Sequence, residues 1–321
     1  WVDQAKGLAI VLVVLYHAVF FMNAAGWGWL PLTRANGALA SLRMPLFFFC
    51  SGLFFARHLP KTGSVVAKSR ILPMMWLYVL WSAVFALFFS VVPWIRDSER
   101  VPLADLPWIF VRPSTELWFL YALALYFSLT WLMNRLLPRS VQLAFALVLS
   151  TWASLTELPV WAFDDMARHY VVFLFAVHFS QIAFRFGSAA SPRVVAGAVA
   201  GWLCLLALRE VSPDGTAALI DLPLAFFAVA SGVAGSAQLV GTRAGGLLAI
   251  IGSRTISVYV LHVLVLGTLF AYLPTPQTIP WWTSVIAAVM ATLGVTMLTA
   301  WLYPYGLRVP GVFRAPWIPA Q

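Results

Sequence analysis

The amino-acid sequence predicts an all-α polytopic membrane protein of about ten transmembrane helices, with both termini in the cytoplasm. Of its 321 residues, 62% are hydrophobic and 10% are charged, and the mean hydropathy is +0.89. Soluble globular domains carry about 25% charged residues. Ten spans of about 20 residues would take about 200 apolar positions. We therefore expect residues 1–321 to form one membrane domain, with no soluble domain.

The candidate spans are apolar runs bounded by charged residues, proline and glycine. They cover residues 8–25, 38–56, 71–93, 117–133, 141–156, 170–186, 194–208, 217–240, 256–272 and 281–303. An even number of spans keeps both termini on the same side of the membrane.

The distribution of charge predicts the orientation. The net charge is +9, but the basic residues are scattered singly between apolar runs, which argues against a nucleic-acid partner. With the N-terminus inside, most lysines and arginines fall in cytoplasmic loops, as the positive-inside rule requires. The acidic residues fall in or beside the outer loops, except Asp3. The two cysteines, Cys50 and Cys204, lie in apolar runs, so neither a disulfide framework nor a Cys-based metal site is expected.

The first span carries the strongest candidate for chemistry, His17. It lies eleven residues after Lys6, which places it about 16 Å further into the membrane at the rise of an α-helix. An ionisable ring at that depth is costly to bury and indicates a function, although a packing histidine bonded to a neighbour is the alternative. A neutral imidazole can take a proton from a hydroxyl and return it. Lys6 is either a positive-inside anchor or a ligand for the phosphates of an anionic cofactor.

A second histidine, His262, lies in the ninth span at a similar predicted depth. Tyr259 is one helical turn before it and is expected on the same face. We predict that both groups take part in the chemistry of His17, with a structural hydrogen bond between helices as the alternative for His262.

Arg43 lies about one turn into the second span from its predicted outer end. One interpretation is that it snorkels to the outer headgroups. The other is that it faces a cavity and stabilises negative charge on a carbonyl or on acceptor oxygens.

Acidic and aromatic residues at the outer face are candidates for substrate binding. Glu116 opens the run Glu116-Leu117-Trp118-Phe119-Leu120 and is either a second acid or base or a helix N-terminal charge. Asp164 belongs to a charged group that we predict to be a polar outer loop, made of Asp164, Asp165, Arg168 and His169. This loop either lines an entrance for the acceptor or is simply solvated. We assign Glu116, Trp118 and Asp164 to substrate binding. The sequence has no metal-ligand spacing and no glycine-rich nucleotide loop.

Four segments in order resemble the integral-membrane acyltransferases usually called the acyltransferase 3 family, over essentially the whole chain. They are Asp3-Gln4-Ala5-Lys6-Gly7 leading to His17, Met44-Pro45-Leu46-Phe47-Phe48-Phe49-Cys50-Ser51-Gly52, Glu116-Leu117-Trp118-Phe119-Leu120, and Gly252-Ser253-Arg254-Thr255-Ile256-Ser257-Val258-Tyr259-Val260-Leu261-His262. Members that modify polysaccharides often have a basic residue eleven positions before an essential histidine, as Lys6 and His17 are here. This chain has lysine where arginine is common, which loses bidentate phosphate geometry.

The resemblance implies transfer of an acyl group, commonly acetyl from cytoplasmic acetyl-CoA or another acyl-CoA, to a hydroxyl of a sugar, polysaccharide or glycolipid. The reaction would take place at the outer side of a bacterial inner membrane. His17 would be a general base or a transient acyl carrier, His262 and Tyr259 would orient it or hold the acceptor, and Arg43 would stabilise negative charge. The basic residues expected near the CoA phosphates are Lys6, Arg57, Lys61, Lys68 and Arg70. No metal is expected.

A rival hypothesis is a transporter or flippase for a lipid-linked sugar, in which the buried histidines relay protons. It predicts binding or movement of the sugar without consumption of CoA.

Overall fold

The computed structural model describes residues 1–92, 103–113, 115–156, 158–276 and 278–318, and these ranges are helical without any strand. The α-helices are α1 (Val2–Ala24), α2 (Leu30–Ala38), α3 (Ala40–Phe55), α4 (Gly63–Val66), α5 (Leu72–Val91), α6 (Trp118–Leu136), α7 (Arg139–Leu155), α8 (Trp161–His178), α9 (Ser180–Ser188), α10 (Pro192–Val211), α11 (Asp214–Gln238), α12 (Arg243–Ser253), α13 (Thr255–Tyr272), α14 (Trp281–Trp301) and α15 (Tyr303–Gly306). Short 3-10 helices cover Ala56–His58 and Leu103–Trp108, and a π-helix covers Ala67–Ile71.

Each of the ten predicted spans lies on one or more of these helices. Among the described residues, seven helical stretches are long and apolar enough to cross a membrane, or eight if the bent pair α8 and α9 forms one span. The helices α6 and α7, which contain most of the predicted spans 117–133 and 141–156, are not among them. Ten crossings therefore remain a prediction. Residue 93, the predicted end of the third span, lies outside the described residues.

The predicted span 170–186 covers parts of two helices and not one continuous helix. Helix α8 begins at Trp161 and ends at His178, and α9 continues from Ser180 at an angle of 81°. The break is at Phe179, whose φ of −116° and ψ of 24° leave the helical region. The charged residues at the start of α8 interrupt its apolar run and concealed its first turns. The predicted polar outer loop at residues 164–169 is therefore wrong, because these residues are helical.

Helix α1 lies at the centre of the bundle and packs against α3, α11, α12, α13 and α14. Contacts on several sides explain why α1 is apolar all round and has no polar face. Lys6, near its start, lines the same cavity as Arg70, which lies in the π-helix before α5. The indole of Trp317 donates a hydrogen bond to the Lys68 carbonyl oxygen beside them. Both ends of the described chain thus lie at one end of the bundle. That this end faces the cytoplasm remains a prediction.

Two glycines allow α1 and α12 to approach at backbone distance. A Cβ at Gly7 would collide with the carbonyl oxygen of Leu248, and a Cβ at Gly252 would collide with the carbonyl oxygen of Asp3. These contacts are backbone atoms and cannot move aside as a flexible side chain can. Small residues have this role in many membrane helix pairs.

Replacing Gly252 with alanine should destabilise the protein by about 1–3 kcal/mol, because the new methyl group must push α12 away from α1. Gly246 is the matched control, since it lies on the same helix with open space around it. Gly246→Ala should be neutral or slightly stabilising because alanine has the higher helix propensity. Thermal unfolding of both variants in detergent measures the difference, and equal melting temperatures would contradict the proposed contact.

Candidate active site

Two histidines from helices far apart in the sequence meet in the interior. His17 lies on α1 and His262 on α13, with Nδ1 of His17 3.1 Å from Nε2 of His262. Their ring centroids are 4.8 Å apart at an interplanar angle of 67°. His262 is fully buried and His17 is partly buried. The two histidines that were predicted at a similar depth are thus in contact in the structure.

The groups around the two rings define their neutral tautomers. Nδ1 of His262 lies 2.7 Å from the carbonyl oxygen of Tyr259 and 3.0 Å from that of Val258. A carbonyl oxygen only accepts, so this Nδ1 carries the proton and Nε2 of His262 is an acceptor. Nδ1 of His17 faces that acceptor and, at 3.0 Å, the carbonyl oxygen of Val13, so it also carries the proton. Nε2 of His17 is left as an unprotonated base.

A cavity of about 320 Å³, which we call the His17 cavity, adjoins this pair. Its walls combine aromatic rings with both signs of charge: Val13, Tyr16, His17, Phe20, Arg43, Met44, Glu116, Trp118, Trp161 and Asp165. The indole rings of Trp118 and Trp161 are 6.0 Å apart and nearly perpendicular. Three residues assigned from the sequence, Arg43, Glu116 and Trp118, therefore line the same space as His17.

Arg43 is buried with 7% of its surface exposed, so it does not reach out to the headgroups. Its guanidinium carbon lies 4.1 Å from the ring centroid of Tyr16, within cation–π distance. One of its nitrogens donates to the carbonyl oxygen of Asn36 at 2.9 Å. A guanidinium has further N–H groups, and these remain for oxygens in the cavity.

Asp164 lies outside the His17 cavity, whereas the next residue, Asp165, lines it. The carboxylate of Asp164 accepts a hydrogen bond from Nε of Arg168 at 2.8 Å. Asp164 thus belongs to an ion pair within one turn of α8, and the acid that faces His17 is the one that sequence reasoning did not select.

Tyr259 holds the backbone at the start of α6. Its hydroxyl donates to the carbonyl oxygen of Glu116 and accepts from the N–H of Phe119 at 3.3 Å. It lines a second cavity and not the one that contains His17. Its geometry is that of a positioning residue for the segment 116–119, while His262 is the group in contact with His17.

This second cavity, about 230 Å³ and called the Lys6 cavity here, lies at the end of the bundle where the chain begins. It is lined by Lys6, Phe47, Cys50, Ser51, Phe54, Ser69, Arg70, Met74, Phe119, Leu120, Leu123, Phe127, Thr255, Ile256 and Tyr259. Lys6 forms a 2.7 Å ion pair with Asp3. Thr255 and Ile256 are the first residues of α13, so the positive end of that helix also faces the cavity.

Of the other predicted cofactor ligands, Arg70 lines the Lys6 cavity and the rest lie outside it. Nε of Arg70 donates to Nε2 of His58 at 2.9 Å. Arg57 is exposed, 5.9 Å from the ring of Phe54. Lys61 is exposed, and its carbonyl oxygen accepts hydrogen bonds from Trp131 and Arg135. Arg57 and Lys61 are thus placed to attract an anion toward this end of the bundle and not to contact it inside the cavity.

The two cavities are separated by the first residues of α6 and the segment before it. Glu116 and Trp118 line the His17 cavity, and Phe119 and Leu120 line the Lys6 cavity. Helix α1 passes both, with Lys6 in one lining and His17 in the other. In the described part of the chain, no group of three or more His, Cys, Asp or Glu residues is arranged to hold a metal ion.

Sequence reasoning did not identify Tyr16 or Trp161 as site residues, and it included Asp165 only as a member of the predicted polar loop. Trp161 and Asp165 are four residues apart on α8, so they share one helix face. That spacing would have identified them if residues 161–169 had been recognised as helical. Tyr16 precedes His17 directly, and nothing in the sequence distinguishes it from the aromatic residues around it.

Replacing Tyr259 with phenylalanine should destabilise the protein by about 1–3 kcal/mol, because a buried carbonyl and a buried N–H lose their partner. Tyr272→Phe is the control on the same helix, since Tyr272 is 68% exposed. Thermal unfolding measured by tryptophan fluorescence compares the two. A melting temperature of Tyr259→Phe that equals the control would show that the hydroxyl does not hold this segment.

Two comparisons with known proteins give matches. The Acyl_transf_3 family model, described as an acyltransferase domain, matches residues 1–301. The chain is also similar to the inner membrane protein YcfT of Escherichia coli (strain K12), with 28% identity over 294 residues that cover 82% of this chain and 78% of YcfT. No solved structure matches.

The similarity to the inner membrane protein YcfT and the apolar spans of the structure both support a multi-pass inner-membrane protein. The family match extends over all the residues that form the two cavities. The chain therefore belongs to the acyltransferase 3 family of membrane acyltransferases.

Proposed function

We propose that the protein transfers an acyl group, acetyl in the simplest case, from acyl-CoA in the Lys6 cavity to a sugar hydroxyl in the His17 cavity. The observation that carries this proposal is the hydrogen-bond chain from the α13 backbone through His262 to His17. It leaves Nε2 of His17 unprotonated beside a cavity with the rings and carboxylates of a sugar site. The family membership independently supports acyl transfer.

The Lys6 cavity suits the phosphate end of an acyl-CoA. Lys6 and Arg70 supply positive charge, and the first residues of α13 supply free backbone N–H groups at the positive end of a helix. Arg57 and Lys61 at the same end raise the local concentration of an anionic donor. The apolar remainder of the lining accommodates the uncharged arm that carries the thioester.

The chemistry requires one base and one site for negative charge. Nε2 of His17 takes the proton from the acceptor hydroxyl as its oxygen attacks the thioester carbonyl carbon. The new C–O bond forms, the C–S bond breaks, and the proton passes from His17 to the CoA thiolate. Nδ1–H of His17 remains bonded to His262 throughout, which keeps the ring oriented. Arg43 stabilises the negative oxygen of the tetrahedral intermediate.

A covalent route uses the same nitrogen. Nε2 of His17 would attack the thioester, release CoA as thiolate, and carry the acyl group to the acceptor hydroxyl. The tautomer derived from the hydrogen bonds serves both routes, because each needs a lone pair on Nε2. Trapping of an acyl-enzyme in the absence of acceptor separates them.

The lining of the His17 cavity favours a carbohydrate acceptor. Trp118 and Trp161 present flat apolar faces that can cover the C–H faces of a sugar ring. Glu116 and Asp165 carry carboxylates, and ionised carboxylates accept hydrogen bonds from hydroxyl groups. The segment 116–119 lies between the two cavities, so the phosphate end of the donor and the acceptor sugar would approach from opposite sides, and the thioester end of the donor would reach past this segment to His17.

Replacing His17 with alanine should abolish transfer, and His262→Ala should reduce kcat by about 10²–10⁴, the usual range for a lost general base or the group that orients it. His178→Gln is the control, because His178 is a membrane histidine bonded to Gln142, away from both cavities. The assay is release of CoA from labelled acetyl-CoA by the protein in nanodiscs, with and without an envelope glycan extract.

Acceptor-dependent release that survives in His17→Ala would exclude the proposed chemistry. Wild-type protein that binds or moves a lipid-linked sugar without any CoA release would instead support the transporter hypothesis. Mass spectrometry of envelope glycans and lipids, with and without the protein, would then identify the acyl group and its acceptor.

Lys6→Gln should raise KM for acetyl-CoA about tenfold, the effect of losing roughly 1.4 kcal/mol of phosphate binding, with little change in kcat. Lys6→Arg should give a KM equal to or lower than that of the wild type, since arginine binds phosphate with bidentate geometry. Arg185→Gln is the control for net charge, because Arg185 is exposed and lines neither cavity. Steady-state kinetics at fixed ionic strength test this, and an unchanged KM in Lys6→Gln would remove Lys6 from the donor site.

A further inference from the structure

A third cavity of about 810 Å³, called the Arg209 cavity here, adjoins the site and is larger than both cavities described above. It lies among α2, α3, α7, α8, α10 and α11. Its lining is Arg34, Gly37, Ala38, Ala40, Ser41, Pro45, Ser150, Ser154, Arg168, His169, Val172, Leu206, Arg209, Glu210, Asp221, Leu222, Leu224 and Ala225. None of these residues has a role in the reaction proposed above.

Neighbouring residues of α3 and α8 line this cavity and the His17 cavity. On α3, Met44 lines the His17 cavity and Pro45 lines the Arg209 cavity. On α8, Asp165 lines the first and His169 the second. A molecule longer than one sugar ring could therefore occupy both spaces from one direction.

The charges around the Arg209 cavity balance only when Asp164 is counted. The lining itself holds three arginines, Arg34, Arg168 and Arg209, against two acids, Glu210 and Asp221, and Asp164 outside it pairs with Arg168 at 2.8 Å. Arg209 pairs with Asp221, and Arg168 lies 3.9 Å from the same carboxylate. Within the described residues, Arg34 and Glu210 take part in no ion pair, and they carry opposite signs. Because Asp164 neutralises Arg168, no excess of positive charge is left for an anionic ligand such as free phosphate.

The lining instead offers separate donors and acceptors. Nδ1 of His169 lies 2.7 Å from the Asp165 carbonyl oxygen, so its Nε2 is an acceptor. Arg34 adds donors, Glu210 adds acceptors, and the hydroxyl of Ser154 can be either. An uncharged polyhydroxy group, such as a saccharide, matches this mixture.

The cavity also opens toward the lipid. Helix α10 is almost entirely exposed and packs chiefly against α11, while α7 packs chiefly against α8 and also contacts α11. Among the described residues, α7 and α10 do not pack extensively against each other, so the side between them is open where α11 does not fill it. The polar groups Arg168 and Asp221 lie about 10 Å from the starts of their helices, and the apolar residues Val172 and Ala225 lie about one turn deeper. This order suits a polar headgroup that remains attached to an apolar chain.

We propose that the Arg209 cavity binds the saccharide headgroup of a membrane-anchored glycolipid, which enters sideways between α7 and α10 and extends its terminal sugar into the His17 cavity. The proposal rests on the proposed function, because the sugar class of the acceptor comes from there. It adds a separate binding site and a requirement that the acceptor be attached to a lipid.

The test uses a dodecyl maltoside that carries a diazirine in its alkyl chain, with the protein in lipid nanodiscs. After irradiation, mass spectrometry should find labelled peptides from α7, α10 and α11. Unlabelled dodecyl maltoside should compete at least about tenfold better than dodecyl octaethylene glycol or maltose, because only it has both sugar hydroxyls and the chain. Equal competition by the polyether would overturn the sugar site, and equal competition by maltose would overturn the lipid requirement.

Matched variants locate the labelling. Ser154→Trp should fill the cavity and reduce labelling about tenfold, whereas Val148→Trp on the same helix should not, because Val148 is 67% exposed. Arg34→Ala and Glu210→Ala change exposed side chains outside any ion pair and should remove the preference for the maltoside without unfolding the protein. Unchanged labelling and preference in all of these variants would overturn the site.

Different results would refute the glycolipid site and the acyltransferase mechanism. His17→Ala should keep the labelling while transfer is lost. Selective labelling without acyl transfer by the wild type would refute the acyltransferase mechanism alone. Transfer from acetyl-CoA without selective labelling would refute the glycolipid site alone.

Discussion

The tight packing of α1 within the bundle is the constraint on which the candidate site depends. Gly7 and Gly252 let α1 and α12 meet at backbone distance, and α12 leads through one residue into α13. This arrangement brings His262 of α13 beside His17 of α1. The same helix carries Lys6 along the other cavity, so a single packed element sets the positions of the predicted donor and acceptor groups.

Burial of two imidazoles in an apolar interior has a chemical consequence. Each ring nitrogen that lacks water must find a partner within the protein. The α13 carbonyls satisfy Nδ1 of His262, and Nε2 of His262 then satisfies Nδ1 of His17. The requirement to satisfy buried polar groups thus produces a defined tautomer, with one free base at the wall of the His17 cavity. The ring orientation that suits stability also suits proton transfer.

The sequence indicates which residues are candidates for the site more reliably than it indicates the direction in which their side chains point. His17, His262, Arg43 and Glu116 were identifiable because charged or titratable groups in apolar surroundings are rare. Asp164 was selected over Asp165 although nothing in the sequence distinguishes the two adjacent acids. Successive residues of a helix differ by about 100° in direction, so only the rotation of α8 decides which carboxylate faces the cavity. Tyr259 could be placed near His262, but its bonds to the backbone of α6 could not be foreseen.

The sequence by itself determined the class of the protein and most helix positions, because an apolar run long enough to cross a membrane is a local property. It also identified His17 and His262 as rare titratable groups within apolar runs. The tertiary structure decided the contact between His17 and His262, which are 245 residues apart, and the bend at Phe179. It also decided the division of the lining residues among three cavities. These features depend on how helices rotate and approach each other, and that is set by packing across the whole bundle.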